Sequence, residues 1–155
     1  MSKYFKSLMA VVIISISAGA VAQQAPKPEA LIKWRQSVFQ VVAWNSSRIK
    51  ANVEGTYNKE DVLRAANTIA AISNSGLSVL FVPGTEQGKG WHDTAAKPEL
   101  FKDEKKVADL FGNFSKEANE LVKVASNSDA TAVKEQLGKL SKTCKACHDD
   151  YKAKE

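Results

Sequence analysis

Residues 133–155 read VKEQLGKLSKTCKACHDDYKAKE, and their spacing decides the fold. Val133, Leu137, Leu140, Cys144, Cys147 and Tyr151 advance by four, three, four, three and four, which is the step of an amphipathic helix. A strand would send Leu140 and Cys144 to the face opposite the other four. Both cysteines of the chain therefore lie on the inward stripe of a C-terminal helix, with His148 directly after the second.

Working outward, three more helical segments can be read upstream. The first opens after Pro28, a residue suited to a helix entrance, and carries Leu31, Trp34, Val38, Val41, Val42 and Ile49 as one apolar stripe. Gly55 breaks it, and Asn58 followed by Asp61 reads as a helix cap with a first-turn acid. A second stripe of Val62, Ala65, Ile69, Ile72, Val79 and Leu80, with Gly76 as a small residue within it, runs until Pro83-Gly84. The loop PGTEQGKGWHDTAA (83–96) leads to Pro98, where a third helix starts and continues through Phe101, Val107, Leu110, Phe111, Phe114, Ala118, Leu121 and Val122. The stretch ASNSDA then precedes the last helix. No segment alternates with period two over strand length. The expected architecture is all-α, an antiparallel four-helix bundle whose core can house a cofactor.

At the other end, Lys3 and Lys6, an apolar run from Leu8 to Ile16 and the small-residue site Ala20-Val21-Ala22 form a secretory signal pattern. The run is shorter than the roughly 20 residues a bilayer span needs. The reading is a signal peptide over residues 1–22, a single mature domain over 23–155, export to the periplasm, and no membrane attachment after signal removal. The net charge of +5 for the whole chain includes both signal lysines. The remaining lysines alternate with Glu and Asp without forming a block, which argues for a solvated surface and against nucleic-acid binding. The Asn-x-Ser triplets at Asn45 and Asn113 decide nothing, and GTEQGKG lacks the spacing, the Ser or Thr and the preceding strand of a phosphate loop.

The remaining chemistry sits in Cys144-Lys145-Ala146-Cys147-His148. A zinc site wants about four nitrogen or sulfur ligands, and the only other histidine, His92, lies far away in the loop. A redox dithiol normally follows a strand, and a disulfide closing so small a loop within a helix would remove little unfolded-state entropy. Cys-x-x-Cys-His in an exported chain is the attachment signature of a c-type haem. Two thiols one helical turn apart can each add to a porphyrin vinyl group, while the adjacent imidazole of His148 reaches the iron. One haem c, held through Cys144 and Cys147 with His148 as the metal ligand, is the expected cofactor.

A four-helix bundle with this motif near its C-terminus resembles the class II c-type cytochromes, specifically the cytochrome c prime family. The strings KPEALIKWRQSVF, FVPGTE and CKACHDDYK carry the resemblance across most of the mature chain. The resemblance implies that Arg35 and Gln36 interact with the haem edge and its propionates, that Phe39 covers the distal side of the iron, and that Phe81 and Glu86 contact the ring. Trp91 is either a haem neighbour or a loop anchor. It also implies that Lys152, one helical turn beyond His148, lies on the proximal side where NO can bind. Relatives commonly form homodimers through their first two helices, which makes a homodimer the expected assembly.

The inventory limits what can stand opposite His148. Both methionines, Met1 and Met9, fall in the signal segment, which excludes a His/Met iron of the electron-transfer type. A lone loop histidine such as His92 reads as a surface residue, and a phenyl ring cannot coordinate iron. The expectation is a five-coordinate, high-spin iron under an apolar cap that binds NO and CO and buffers or detoxifies NO. The alternative is a periplasmic electron carrier serving a redox partner protein. An enzyme such as a peroxidase is not expected, because no distal His or Arg acid–base pair is evident.

Overall fold

The computed structural model describes residues 25–154; the signal segment 1–22 lies outside them. Four helices, α1 (Pro28–Glu54), α2 (Lys59–Ser73), α3 (Glu104–Asn127) and α4 (Ala130–Tyr151), make up the all-α bundle, with short 3-10 turns at Leu77–Leu80 and Pro98–Phe101. Helix α2 packs on α1 and α3, α3 packs on α4, and α4 returns to α1. Among the described residues the only β-type pairings are two isolated bridges, Lys89 with Asp93 and Ala96 with Lys152.

Local chemistry sets the ends of these helices. Pro28 opens α1, where its missing N–H costs nothing. The Asn58 side chain accepts a bond from the Asp61 N–H (3.0 Å), as the cap reading required. Asp129 does the same for Ala132 (3.0 Å) at the start of α4. Two boundaries differ from expectation. Helix α2 stops at Ser73, not at Pro83, because Gly76 takes the left-handed conformation (φ 79°) and diverts the chain into a 3-10 turn. Pro98 likewise opens a 3-10 turn, and α3 begins only at Glu104.

Buried Ile49, Val62, Ile69, Leu121, Val133 and Leu140 fill the main core, and Ala65, Ala66, Ala118 and Ala125 between them let the helices approach closely. Full burial of each larger side chain contributes about 1.5–3 kcal/mol. The α1 stripe divides in two: Leu31, Val42 and Ile49 point inward, whereas Trp34 and Val41 face solvent together with Trp44. Val79 is also exposed, since the turn it occupies is not a continuation of α2. At the α1–α2 corner Arg48 pairs with Asp61, which also accepts a bond from Asn52 Nδ2 (3.0 Å). A second apolar cluster of Leu100, Val107 and Tyr151 packs with Phe81, Phe101 and Cys147, and this is the end of the bundle that carries the site.

Candidate functional site

A cavity of about 360 Å³ opens between α1, the 81–96 loop and the end of α4, within the size range of cofactor sites. Its α1 wall carries Arg35, Gln36, Phe39, Gln40 and Ala43, with Arg35, Phe39 and Ala43 one turn of helix apart. Opposite are Cys147, His148, Tyr151 and Lys152, with Phe81, His92, Thr94 and Leu100 also in the lining.

Helix α4 presents its motif as its spacing required. Leu137, Leu140 and Tyr151 are buried on the inward side, and the half-buried Cys144 and Cys147 share that side. Cys147 lines the groove, while Cys144 lies one turn back with Sγ 3.6 Å from the Leu140 carbonyl oxygen. Burial raises both thiols above their usual pKa. His148 stands at the groove mouth. Burial first, and the Lys152 ammonium second, hold its imidazole below the usual value, against an opposing pull from Asp149. That shift favours the neutral imidazole, the form that ligates a metal.

The end of α4 is fixed from three directions. Tyr151 donates from its hydroxyl to Asp103 Oδ2 (2.8 Å) at the start of α3. Lys97 Nζ reaches the carbonyl oxygens of Asp149 (3.3 Å) and Asp150 (3.0 Å), where a cation suits the helix C-terminus. Lys97 N donates to the Tyr151 carbonyl (2.9 Å) and Ala153 N to the Ala95 carbonyl (2.8 Å). The loop is thereby joined to the same turn that carries His148.

The loop is also fastened to α1. Gln36 accepts the Trp91 N–H (2.7 Å) and donates to the His92 carbonyl (2.9 Å). Trp91 donates from Nε1 to Ser37 Oγ (2.8 Å), with Lys33 Nζ 3.8 Å from its ring centroid. Trp91 is a loop anchor outside the groove lining. His92 lines the groove, with Nδ1 2.8 Å from the Asp93 carbonyl oxygen. Glu86 is not part of the lining; its carboxylate accepts the Gly84 N–H (2.7 Å) and closes the loop on itself.

Phe39 and Phe81 form the aromatic part of the groove, edge to face at 6.3 Å, and Phe81 continues to Phe111 at 5.4 Å. Beside them lies Arg35, only 5% exposed. Its guanidinium donates to Thr85 Oγ1 (3.0 Å), the Thr85 carbonyl (2.9 Å), Thr94 Oγ1 (2.9 Å) and the Leu80 carbonyl (3.3 Å). All four acceptors are neutral, and no described carboxylate pairs with it. Burial pulls this group below its usual pKa. A buried cation without a counter-charge is costly unless something anionic shares its site.

The groove is thus apolar along most of its length, cationic at one end, and flanked by two thiols and an imidazole on adjacent helical turns. A haem has that same distribution: a flat apolar ring, carboxylates on one edge, vinyl groups on another and a metal at the centre. Sequence reasoning placed Arg35, Gln36, Phe39, Phe81, Cys147, His148 and Lys152, all of which the fold brings to one groove. It missed Thr85 and Thr94, for which the only signal was the need of a buried Arg35 for acceptors.

Comparison with known proteins gives the same assignment. The family model described as Cytochrome C' matches residues 30–152. The chain is 59% identical over 130 residues to a cytochrome c prime from Rhodocyclus tenuis, covering 83% of this chain and 98% of the relative. A solved cytochrome c prime with a ligand-controlled dimer dissociation superposes with a TM-score of 0.81 at 42% identity, covering 84% of this chain and 100% of that one. The NO complex of a ferrous variant from Alcaligenes xylosoxidans superposes with a TM-score of 0.74 at 27% identity, covering 85% and 100%.

Proposed function

Because the chain belongs to the cytochrome c prime family, we propose that it is a periplasmic gas-binding protein carrying one covalent haem c, that it takes up NO and CO, and that it buffers or detoxifies NO without acting as an enzyme. The observation that carries this reading is the pairing, across one groove, of Cys147 and His148 with an apolar wall at Phe39 and an unpaired buried cation at Arg35. When bound, a c-type haem would supply a single iron that can take a diatomic gas and cycle between ferric and ferrous.

Each residue has a stated part. Cys144 and Cys147 would hold the group through two thioether bonds, each thiol S–H adding across one vinyl group with no oxidant needed. His148 would supply the imidazole, whose pKa is held below its usual value by partial desolvation first and by Lys152 second. Arg35 offers its charge to a propionate. Phe39 would crowd the gas-binding side of the groove and offers no hydrogen-bond donor, which would disfavour dioxygen more than NO or CO. Lys152 adds positive charge on the His148 side. The described residues contain no methionine to compete for that face.

Residues 1–22 act as the export signal for a domain comprising 23–155, and no helix among the described residues is long and apolar enough to cross a membrane. The outer face of α1 exposes Trp34, Val41 and Trp44 beside Trp91, an apolar surface suited to the homodimer expected for this family. A redox partner protein would supply electrons to the iron. Mass spectrometry of the mature periplasmic product, followed by NO titration of its ferrous form, tests the reading. Haem mass on the chain and saturable NO uptake are expected; a chain without haem would overturn it.

A further inference from the structure

The guanidinium of Arg35 has five N–H donors. The four on its two terminal nitrogens go to Leu80, Thr85 and Thr94, so Nε–H is the one donor left without an acceptor among the described residues. Arg35 itself lines the groove. The group is further confined by the Phe81 ring at 4.9 Å and the Phe101 ring at 5.9 Å. Neither threonine is free to yield. Thr85 is 1% exposed and donates its own hydroxyl proton to the Val82 carbonyl (2.8 Å). Thr94 Oγ1 also accepts the Ala96 N–H (3.3 Å), in the segment paired with the end of α4.

We propose that Thr85 and Thr94 are positioning residues for the cofactor site: their hydroxyls hold Arg35 as an immobile, uncompensated positive charge against the groove, with Nε–H left for a single carboxylate bond. The inference rests on the haem reading above and deepens it. Arg35 then acts less as a two-pronged clamp than as a fixed charge, one that couples the propionate edge to the loop joined to α4. A fixed cation favours the ionised form of a nearby carboxylate and the electron-rich state of a nearby redox centre. Without the threonine hydroxyls the guanidinium can turn away, and both effects weaken.

The test is the reduction potential as a function of pH, measured on the full haem-loaded protein in four forms: wild type, Thr85→Val, Thr94→Val and Thr94→Ser. Both valine variants keep the side-chain shape and lose the acceptor. They are expected to lower the potential and to move the carboxylate-linked bend of the curve upward by about one pH unit, a roughly tenfold change in proton affinity. Thr94→Ser restores the hydroxyl and is expected to follow wild type, which a packing role for the threonine methyl would not give. Arg35→Lys keeps the charge but cannot reach four acceptors, so it should shift the curve in the same direction even if a valine variant folds poorly. Wild-type curves in haem-loaded Thr94→Val and Arg35→Lys would overturn the inference and leave the haem reading standing. Absence of haem from the wild-type chain would overturn both.

Discussion

Phe39→Ala is the perturbation that most sharply separates a guarded iron from an open one. The ring is half-buried on α1, packs against the main core and meets Phe81 edge to face at 6.3 Å. With the cofactor in the groove, a gas ligand bound beside Phe39 would have to push the ring out of that position. Losing the aromatic pair costs about 0.5–1.5 kcal/mol, and exposing the buried part of the ring adds on the order of 1 kcal/mol. In the alanine variant that cost no longer opposes binding, so CO affinity of the ferrous protein should rise about 10- to 100-fold. The same truncation should lower thermal stability, by less than the roughly 3–5 kcal/mol of a fully buried Phe→Ala change. The assay is equilibrium CO titration followed by absorbance, with circular dichroism melting alongside. Unchanged CO affinity in a folded, haem-loaded Phe39→Ala protein would refute the assignment of the ring as the distal cap.

Three further outcomes follow from other parts of the molecule. Gly90→Ala should destabilise the loop by about 1–3 kcal/mol and change Trp91 fluorescence, because a Cβ there would sit 2.4 Å from Gln36 Oε1 and 2.8 Å from the Lys33 Cα. Asp61 is pushed up by partial burial, but bonds from Arg48 and Asn52 and the charges of Arg48 and Arg64 outweigh this and leave its pKa lowered. Its contribution is therefore present above the usual Asp value near 4 and lost as pH falls through the lower folded value; acid melts should show Asp61→Asn with a flatter decline below about pH 4. Trp44→Glu places a charge on the exposed apolar face of α1 and should convert a dimer to monomer in sedimentation measurements, leaving the CO-bound spectrum unchanged.

The parts of this fold that were legible in the sequence are those where one period persists over many turns. Helix α4 shows this best, since its stripe runs unbroken from Val133 to Tyr151 and carries the motif with it. A 3-10 turn spans only one turn, and over that length a period of three is indistinguishable from one of 3.6. This is why Leu77–Leu80 and Pro98–Phe101 read as pieces of α2 and α3. The α1 pattern concealed a different ambiguity. Trp34 and Val41, seven apart, share a face as surely as inward residues do, and periodicity alone does not say whether a face meets the core or the solvent. At the site, the Cys-x-x-Cys-His string was legible because its chemistry requires fixed spacing. Thr85 and Thr94 were not, because a hydroxyl that accepts from a guanidinium about fifty residues away leaves no local pattern. Glu86 shows the converse: a prominent residue in a recognisable string whose carboxylate accepts the Gly84 N–H of the turn it closes and lies outside the groove lining.

The central claim is that His148 is the only side chain bound to the iron, and the spectrum of the purified protein in its ferric and ferrous states, before and after adding CO, tests it most directly. Five-coordinate, high-spin features in both oxidation states, with a ferrous band that moves when CO is added, are the predicted result. Six-coordinate, low-spin bands that do not respond to CO would contradict it, and would mean that another residue of this chain occupies the position opposite His148.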